Sequence, residues 1–133
     1  MSQFFIPYLS FENCMEVANY YKEIFDGEIS YIMKGSDTPD CPPEDLEKIM
    51  HLEIKIKDNF IYMADAPEKF RQEKLYLLLD YKDLKEQELE YNKMAKEGEI
   101  TEEMHDTFWG ARFGVIKDKF GISWEFHCPL EKK

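Results

Sequence analysis

The stretch Trp109 to His127, WGARFGVIKDKFGISWEFH, constrains the fold more than any other part of the chain. Ala111, Phe113 and Val115 alternate with Arg112, Gly114 and Ile116, the period of two expected of a half-buried strand. Asp118-Lys119-Phe120-Gly121 follows as a turn, with Gly121 free to take positive φ. A second alternation then sets Ile122, Trp124 and Phe126 on one face and Ser123, Glu125 and His127 on the other. The segment reads as a hairpin with one apolar face and one face bearing a hydroxyl, a carboxylate and an imidazole. A sheet face that is polar on this pattern marks a candidate site.

The rest of the chain supplies the sheet that this hairpin joins. Phe4 to Phe11 reads as a strand, with Pro7 tolerable near an edge or a strand start. Asn13 is a good N-cap with Glu16 at the capping-box position, and Met15, Ala18, Tyr21, Ile24 and Phe25 form the apolar stripe of a helix that Gly27 stops. Strands are expected over Glu28 to Lys34, His51 to Lys57 and Asn59 to Ala64, the last two joined by a tight turn at Asp58-Asn59. Between them, residues 35 to 48 are acidic and rich in Pro, a long surface loop of the kind that serves as a lid or binding loop, with room for a helical turn after Pro43.

After a connection over residues 66 to 73 the pattern restarts. Lys74 to Tyr81 is a strand, and Asp83 with Glu86 caps a helix over 84 to 97 that carries Leu84, Leu89 and Met94 and ends at Gly98. Glu99 to about Met104 is a strand, and a loop holds His105 to Phe108. Gly27-Glu28-Ile29 recurs as Gly98-Glu99-Ile100, and Lys57-Asp58-Asn59-Phe60 as Lys117-Asp118-Lys119-Phe120. Their agreement with element order indicates a duplicated unit of strand, helix and three strands. The expectation is an α+β fold of two four-stranded mixed sheets, each with a helix on its outer face and a concave inner surface between them.

Composition narrows the function classes. At 133 residues, 44% hydrophobic and 15% aromatic, the chain is expected to form one soluble globular domain, residues 1–133. A formal net charge of −11 disfavours nucleic acid and anionic membrane surfaces as partners. No run approaches the ~20 apolar residues of a membrane span, and MSQFFIPYLSF has neither the basic nor the long apolar region of a signal peptide. Cys14, Cys41 and Cys128 are odd in number and share no CxxC spacing, which fits reduced thiols and a cytoplasmic location. The six glycines form no Gly-rich strand-to-helix turn of the kind that cradles an adenosyl cofactor in the common methyltransferase fold.

Three segments carry a family resemblance: PYLSFENCMEVANYYKEIFDGEI at 7 to 29, IMHLEIKI at 49 to 56, and TFWGARFGVIKDKFGISWEFH at 107 to 127. Across nearly the whole chain they resemble the vicinal oxygen chelate superfamily of glyoxalase I, bleomycin-resistance proteins and extradiol dioxygenases. More narrowly they resemble its PhnB-like branch, labelled 3-demethylubiquinone methyltransferase-like. The resemblance implies two βαβββ modules, about 3–66 and 74–128, forming an incomplete, U-shaped mixed barrel, commonly a homodimer, with any site in the concave cavity. It also implies a divalent metal with four ligands, two per module. Carried onto this chain, those positions fall at about Ile6, Tyr62, Lys74 and Glu125, of which only Glu125 keeps the acid. One ligand cannot hold Zn²⁺, Ni²⁺ or Fe²⁺ in the usual manner, so no metal cofactor is expected.

Strand parity then nominates the lining of the cavity. With Leu52, Ile54 and Ile56 covering the helix, His51 and Glu53 face inward, and Ser123 shares the face of Glu125. The candidate ligand-binding set is His51, Glu53, Tyr62, Arg112, Ser123 and Glu125, with Tyr8 and Trp109 nearby. His51 and Glu125 are the candidates for acid/base chemistry, because an imidazole titrates near neutrality, and Arg112 could clamp an anion. Plainer roles stand beside these. His51 could equally be a hydrogen-bonded sheet residue, and Glu125 with Arg112 a cross-strand ion pair. Trp109 fits core, cavity wall or dimer contact, and His105 a solvated loop or a site mouth. The functions left open are binding of a small molecule without metal, in the manner of the bleomycin-resistance proteins, and small-molecule catalysis as a lyase, isomerase or dioxygenase-like enzyme built on His51 and Glu125. A dimeric domain with no small-molecule role is also compatible with the sequence.

Overall fold

In each half of the chain a strand, a helix and three further strands follow one another, the order that the internal repeat predicts. The computed structural model describes residues 3–130. The first compact unit runs through Gln72 and the second starts at Glu73. Unit one holds β1 (Tyr8–Phe11), α1 (Cys14–Phe25), β2 (Glu28–Lys34), β3 (Ile49–Ile56) and β4 (Asn59–Asp65), in the sheet order β1-β4-β3-β2. Unit two holds β5 (Tyr76–Asp80), α2 (Leu84–Ala95), β6 (Glu99–Asp106), β7 (Ala111–Lys117) and β8 (Ser123–Pro129), in the order β5-β8-β7-β6. In both, the first strand pairs in parallel with the last and the other pairings are antiparallel. The fold is α+β, with a four-stranded mixed sheet in each unit.

Helix α1 forms where its cap and stripe place it. The Asn13 side chain accepts from the Glu16 amide at 3.3 Å, and Val17, Ala18, Tyr21, Ile24 and Phe25 are buried against the sheet. The residue that ends the helix in the left-handed region is Asp26, at φ 55°, not Gly27. Gly27 is needed for a different reason. A Cβ there would lie 2.8 Å from the Lys55 carbonyl oxygen, and one at Gly98 would lie 2.7 Å from Ile116 Cγ2. Both glycines let the chain leave its helix in close contact with the neighbouring strand, so the recurring Gly-Glu-Ile has a steric cause.

Helix α2 departs from its predicted stripe. Leu89 is 58% exposed and Leu84 37%, while Gln87, Glu90, Tyr91 and Met94 are buried. Two of these are polar, and both have partners. The Tyr81 hydroxyl donates to Glu90 Oε1 at 2.6 Å, and Gln87 Nε2 donates to the Arg112 carbonyl at 2.9 Å. A helix that buries a hydrogen-bonded carboxylate and an amide bonded through its nitrogen, with the Gln87 Oε1 left unpartnered among the described residues, shows no apolar stripe, which is why the periodicity misplaces its face.

Local boundaries also differ in informative ways. Strand β1 begins at Tyr8 rather than Phe4, after Pro7. The β3–β4 turn sits at Lys57-Asp58, both at positive φ, one residue earlier than the sequence suggests. Strand β6 extends to Asp106, so His105 lies on a strand opposite Phe113 and not in a loop. The 35–48 loop is drawn together at its base by Gly35 N–H to the Lys48 carbonyl (2.9 Å) and Ser36 N–H to the Leu46 carbonyl (3.0 Å). It carries two short 3-10 turns, Gly35–Asp37 and Pro43–Asp45, the second at the position expected after Pro43.

The closing hairpin has its own anchor. Asp118 is buried. Its Oδ1 accepts the amides of Phe120 (2.8 Å) and Ile122 (3.0 Å), and its Oδ2 accepts the indole N–H of Trp124 (2.8 Å). Gly121 completes the loop at φ 95°, as its place in the turn requires. Asp58, the counterpart of Asp118 in the recurring Lys-Asp-x-Phe, is 95% exposed, so one motif closes two unlike connections.

Candidate functional site

Each sheet has a helix-facing side and an opposite side. In β3, Leu52, Ile54 and Ile56 are buried beneath α1, leaving His51, Glu53 and Lys55 on the other face as parity predicts. The register sets Tyr62 beside Glu53 and Tyr8 beside Tyr62, while Tyr31 of β2 lies across from Glu53. Directly paired residues share a face, so unit one presents Tyr8, Tyr31, His51, Glu53 and Tyr62 together.

His51 is the centre of this group. Its Nε2 lies 2.9 Å from Glu53 Oε2 and its Nδ1 3.3 Å from the Tyr8 hydroxyl. Three tyrosine rings surround the imidazole, with centroids at 4.8 Å (Tyr62), 5.7 Å (Tyr8) and 6.0 Å (Tyr31). An ionised carboxylate only accepts, so Nε2 carries the proton toward Glu53. In the neutral imidazole Nδ1 is then bare, and the Tyr8 hydroxyl donates to it. Burial first, and the Cys14 thiol second, push the Tyr8 phenol up, which keeps it protonated near neutrality. Lys55, on the same face, pairs with Asp58 at 3.8 Å.

Unit two carries the remaining candidates, and the structure does not bring all of them to one face. Ser123 and Glu125 lie on β8 on the side away from α2, with His127 beyond them. Arg112 is across from Cys128, a buried residue, whereas Glu125 is across from Val115. Arg112 and Glu125 are therefore on opposite faces. The expected pairing between them is corrected: Arg112 Nε binds Asp106 Oδ1 of β6 at 3.0 Å. The parity of β7 is shifted relative to that expectation because Arg112 aligns with the buried set Trp124, Phe126 and Cys128. Trp109 stands in the loop before β7, 55% exposed, with its ring edge-on to Phe108 at 5.2 Å and 6.1 Å from Phe113.

Two features of these faces were not nominated from sequence. Tyr31 joins His51 only through the β2–β3 register, which alternation alone cannot fix. Asp80 and His127 form a second carboxylate–imidazole contact, Oδ1 to Nδ1 at 3.1 Å, through the parallel β5–β8 pairing. Hydrogen bonds from His127 and then Lys82 hold the Asp80 carboxyl below its usual range.

The repeat relates the two faces. Tyr62 lies between Tyr8 and Glu53, and Glu125 lies between Leu78 and Val115. Glu125 thus corresponds to Tyr62, Tyr8 to Leu78, and His51 to Phe113. The metal positions inferred at Ile6 and Lys74 fall ahead of β1 and β5, and the residues in register with Tyr62 and Glu125 are Tyr8 and Leu78. Two phenols, an isobutyl group and one carboxylate do not make a four-ligand centre for a divalent ion. Among the described residues no group of three or more His, Cys, Asp or Glu is placed to hold one.

The duplicated βαβββ architecture defines a fold class, and sequence comparison places the chain within it. A profile for the family described as 3-demethylubiquinone-9 3-methyltransferase matches residues 3–127, so the chain belongs to that family. The chain is 29% identical over 132 residues to Protein YjdN of Escherichia coli (strain K12), covering 89% of this chain and 90% of that protein. Among solved structures, PA1353 from Pseudomonas aeruginosa is similar with a TM-score of 0.82 at 26% identity, covering 98% of this chain and all (100%) of that one. The PhnB protein from Bacillus cereus follows at 0.74 and 23%, covering 97% and 100%. The fold alone is shared with the fosfomycin resistance protein FosX from Listeria monocytogenes, at 0.68 and 13%, covering 100% and 95%.

Proposed function

We propose that this chain binds a small molecule on the polar, aromatic face of its first sheet and does so without the four-ligand metal of its superfamily. The observation that carries the reading is His51, bonded to Glu53 at 2.9 Å and ringed by Tyr8, Tyr31 and Tyr62. Three rings and a carboxylate offer stacking surface and a directional polar contact, the combination that small-molecule sites use. Ser123 and Glu125 add polar groups on the corresponding face of the second sheet. A cytoplasmic homodimer completes the proposal, supported by the free cysteines and by large exposed side chains such as Phe108 and Trp109. Nucleic acid and membranes are not partners in this reading. Among the described residues no helix is long and apolar enough to cross a membrane.

A second reading, a small-molecule enzyme, is favoured by the same His51–Glu53 contact, because a carboxylate that fixes the imidazole tautomer prepares it for proton transfer. Elemental analysis of freshly purified, untagged protein and of His51→Ala and Glu125→Ala tests the metal-free part. The expected result is no stoichiometric metal in any of the three. Near-stoichiometric metal in the parent, lost in both variants, contradicts it.

A further inference from the structure

The contact between the Tyr8 hydroxyl and His51 has a chemical consequence beyond binding. The geometry points to Tyr8, His51 and Glu53 as a nucleophile, its base and its orienting carboxylate, a site that accepts an activated acyl group on the Tyr8 oxygen. The assignment rests on the reading of this face as the ligand site.

The order of donation is set by the groups themselves. Glu53 Oε2, 2.9 Å from Nε2, fixes the proton there and leaves Nδ1 to receive one, and the Tyr8 hydroxyl is 3.3 Å from Nδ1. This is the connectivity that activates a hydroxyl nucleophile: hydroxyl to imidazole, imidazole to carboxylate. A separation of 3.3 Å is at the loose end of hydrogen bonding, as is usual for such a contact before a substrate closes on it. The three residues come from adjoining parts of one sheet, β1 and β3 being bridged by Tyr62 of β4, so their spacing is held by strand register rather than by loops. The nucleophile is also accessible, since Tyr8 is 53% exposed while the side chains of His51 and Glu53 are 20% and 26% exposed.

A phenol held protonated is inert at neutral pH unless a base takes its proton as it attacks. His51 is that base. In the transfer, the Tyr8 oxygen forms a bond to the acyl carbon of an activated ester, and the phenol proton moves to Nδ1. The ester C–O bond then breaks, and its electron pair leaves with the alcohol oxygen, which recovers the proton from the imidazole when it is basic enough. A weakly basic leaving group departs as the anion, and the imidazolium gives its proton to solvent. Water then attacks the acyl carbon of the aryl ester as His51 takes its proton, the bond to the Tyr8 oxygen breaks, the acyl group leaves as the carboxylic acid, and the phenoxide recovers the proton from the imidazole. No oxidant, metal or further reactant enters.

p-Nitrophenyl acetate is the probe. The chain has eight tyrosines, and Tyr31 and Tyr76, 49% and 57% exposed, are internal controls of matching accessibility that need no variant. Peptide mass spectrometry of the intact chain after brief exposure is expected to show acetylation of Tyr8 at least about tenfold ahead of both, a floor set below the roughly 10²–10⁴-fold of general-base assistance, with Tyr8→Phe losing the matching burst of p-nitrophenolate. His51→Gln lowers the rate without removing the phenol. For Glu53, whose role is positional, 15N spectra of the His51 ring are expected to show the proton on Nε2 in the parent and redistributed in Glu53→Gln. Acetylation of Tyr8 no faster than that of Tyr31 and Tyr76 overturns the assignment. Because the probe needs no natural ligand, this outcome is separate from the binding proposal, which stands or falls on ligand titration.

Discussion

Asp118→Ala is the most telling single perturbation of the fold that presents Ser123, Glu125 and His127. The side chain is 4% exposed and its two oxygens accept from Phe120 N, Ile122 N and Trp124 Nε1 at 2.8, 3.0 and 2.8 Å. Removing the carboxylate takes this acceptor away from three donors. The Phe120 amide is near the surface and can turn to water, but Ile122 and Trp124 are buried. Two stranded buried donors cost about 1–3 kcal/mol each. The total expected is about 3–5 kcal/mol, the range seen when one partner of a buried charged contact is deleted. With an m-value near 2 kcal/mol/M, the urea midpoint falls by about 2 M, followed by far-UV circular dichroism. Asp118→Asn separates the contributions. Its amide oxygen still accepts both backbone N–H groups, while its NH2 opposes the indole N–H, so the loss is expected at about 1–3 kcal/mol. Trp124→Phe, which removes that opposing donor, is expected to make the Asn substitution less costly in a double-mutant cycle. A loss below about 1 kcal/mol for Asp118→Ala would refute the clamp and the energetic reasoning behind it.

The remaining predictions concern pH, packing and assembly. Burial and then Glu90 raise the Tyr81 phenol above its ordinary value of 10.0, so its contribution to stability is complete below pH 10 and is lost as pH rises beyond it toward the folded value. Alkaline unfolding followed by circular dichroism should steepen above pH 10, and Tyr81→Phe should flatten that limb while costing about 1.5–3 kcal/mol at neutrality. Gly27→Ala and Gly98→Ala force a Cβ to 2.8 and 2.7 Å from neighbouring atoms, and each is expected to destabilise by about 1–3 kcal/mol in urea titration. The proposed homodimer predicts a dimer mass in light scattering for the parent, and a double substitution of Phe108 and Trp109 by Ser, residues 97% and 55% exposed, is expected to give a monomer without loss of helix content; a monomeric parent contradicts that proposal.

Much of the architecture could be read directly from the sequence, because the two devices that set it are local. Alternation in β3 and β8 separated Leu52, Ile54 and Ile56 from His51 and Glu53, and Trp124 and Phe126 from Glu125. The caps at Asn13 and Asp83 located both helices. What alternation cannot give is pairing. Alternation allows Arg112 to sit beside Glu125, each polar on its own strand, but register puts Arg112 opposite Cys128 and within reach of Asp106. The same limit hid Tyr31 from His51, and Asp80 from His127, since each pair meets only across strands. Helix α2 escapes the stripe for another reason: Glu90 and the amide nitrogen of Gln87 are buried and hydrogen-bonded, and composition reports polarity, not the partners that make burial tolerable.

On the function proposed above, the face around His51 takes a small molecule with no metal present. Its most direct test is a 15N–1H titration of chelator-treated protein with a library of small aromatic and polar compounds. Shifts are expected to concentrate at Tyr8, Tyr31, His51, Glu53 and Tyr62, and to weaken in Tyr62→Ala. Shifts that develop only after a divalent ion is restored, or that map to other surfaces, contradict it.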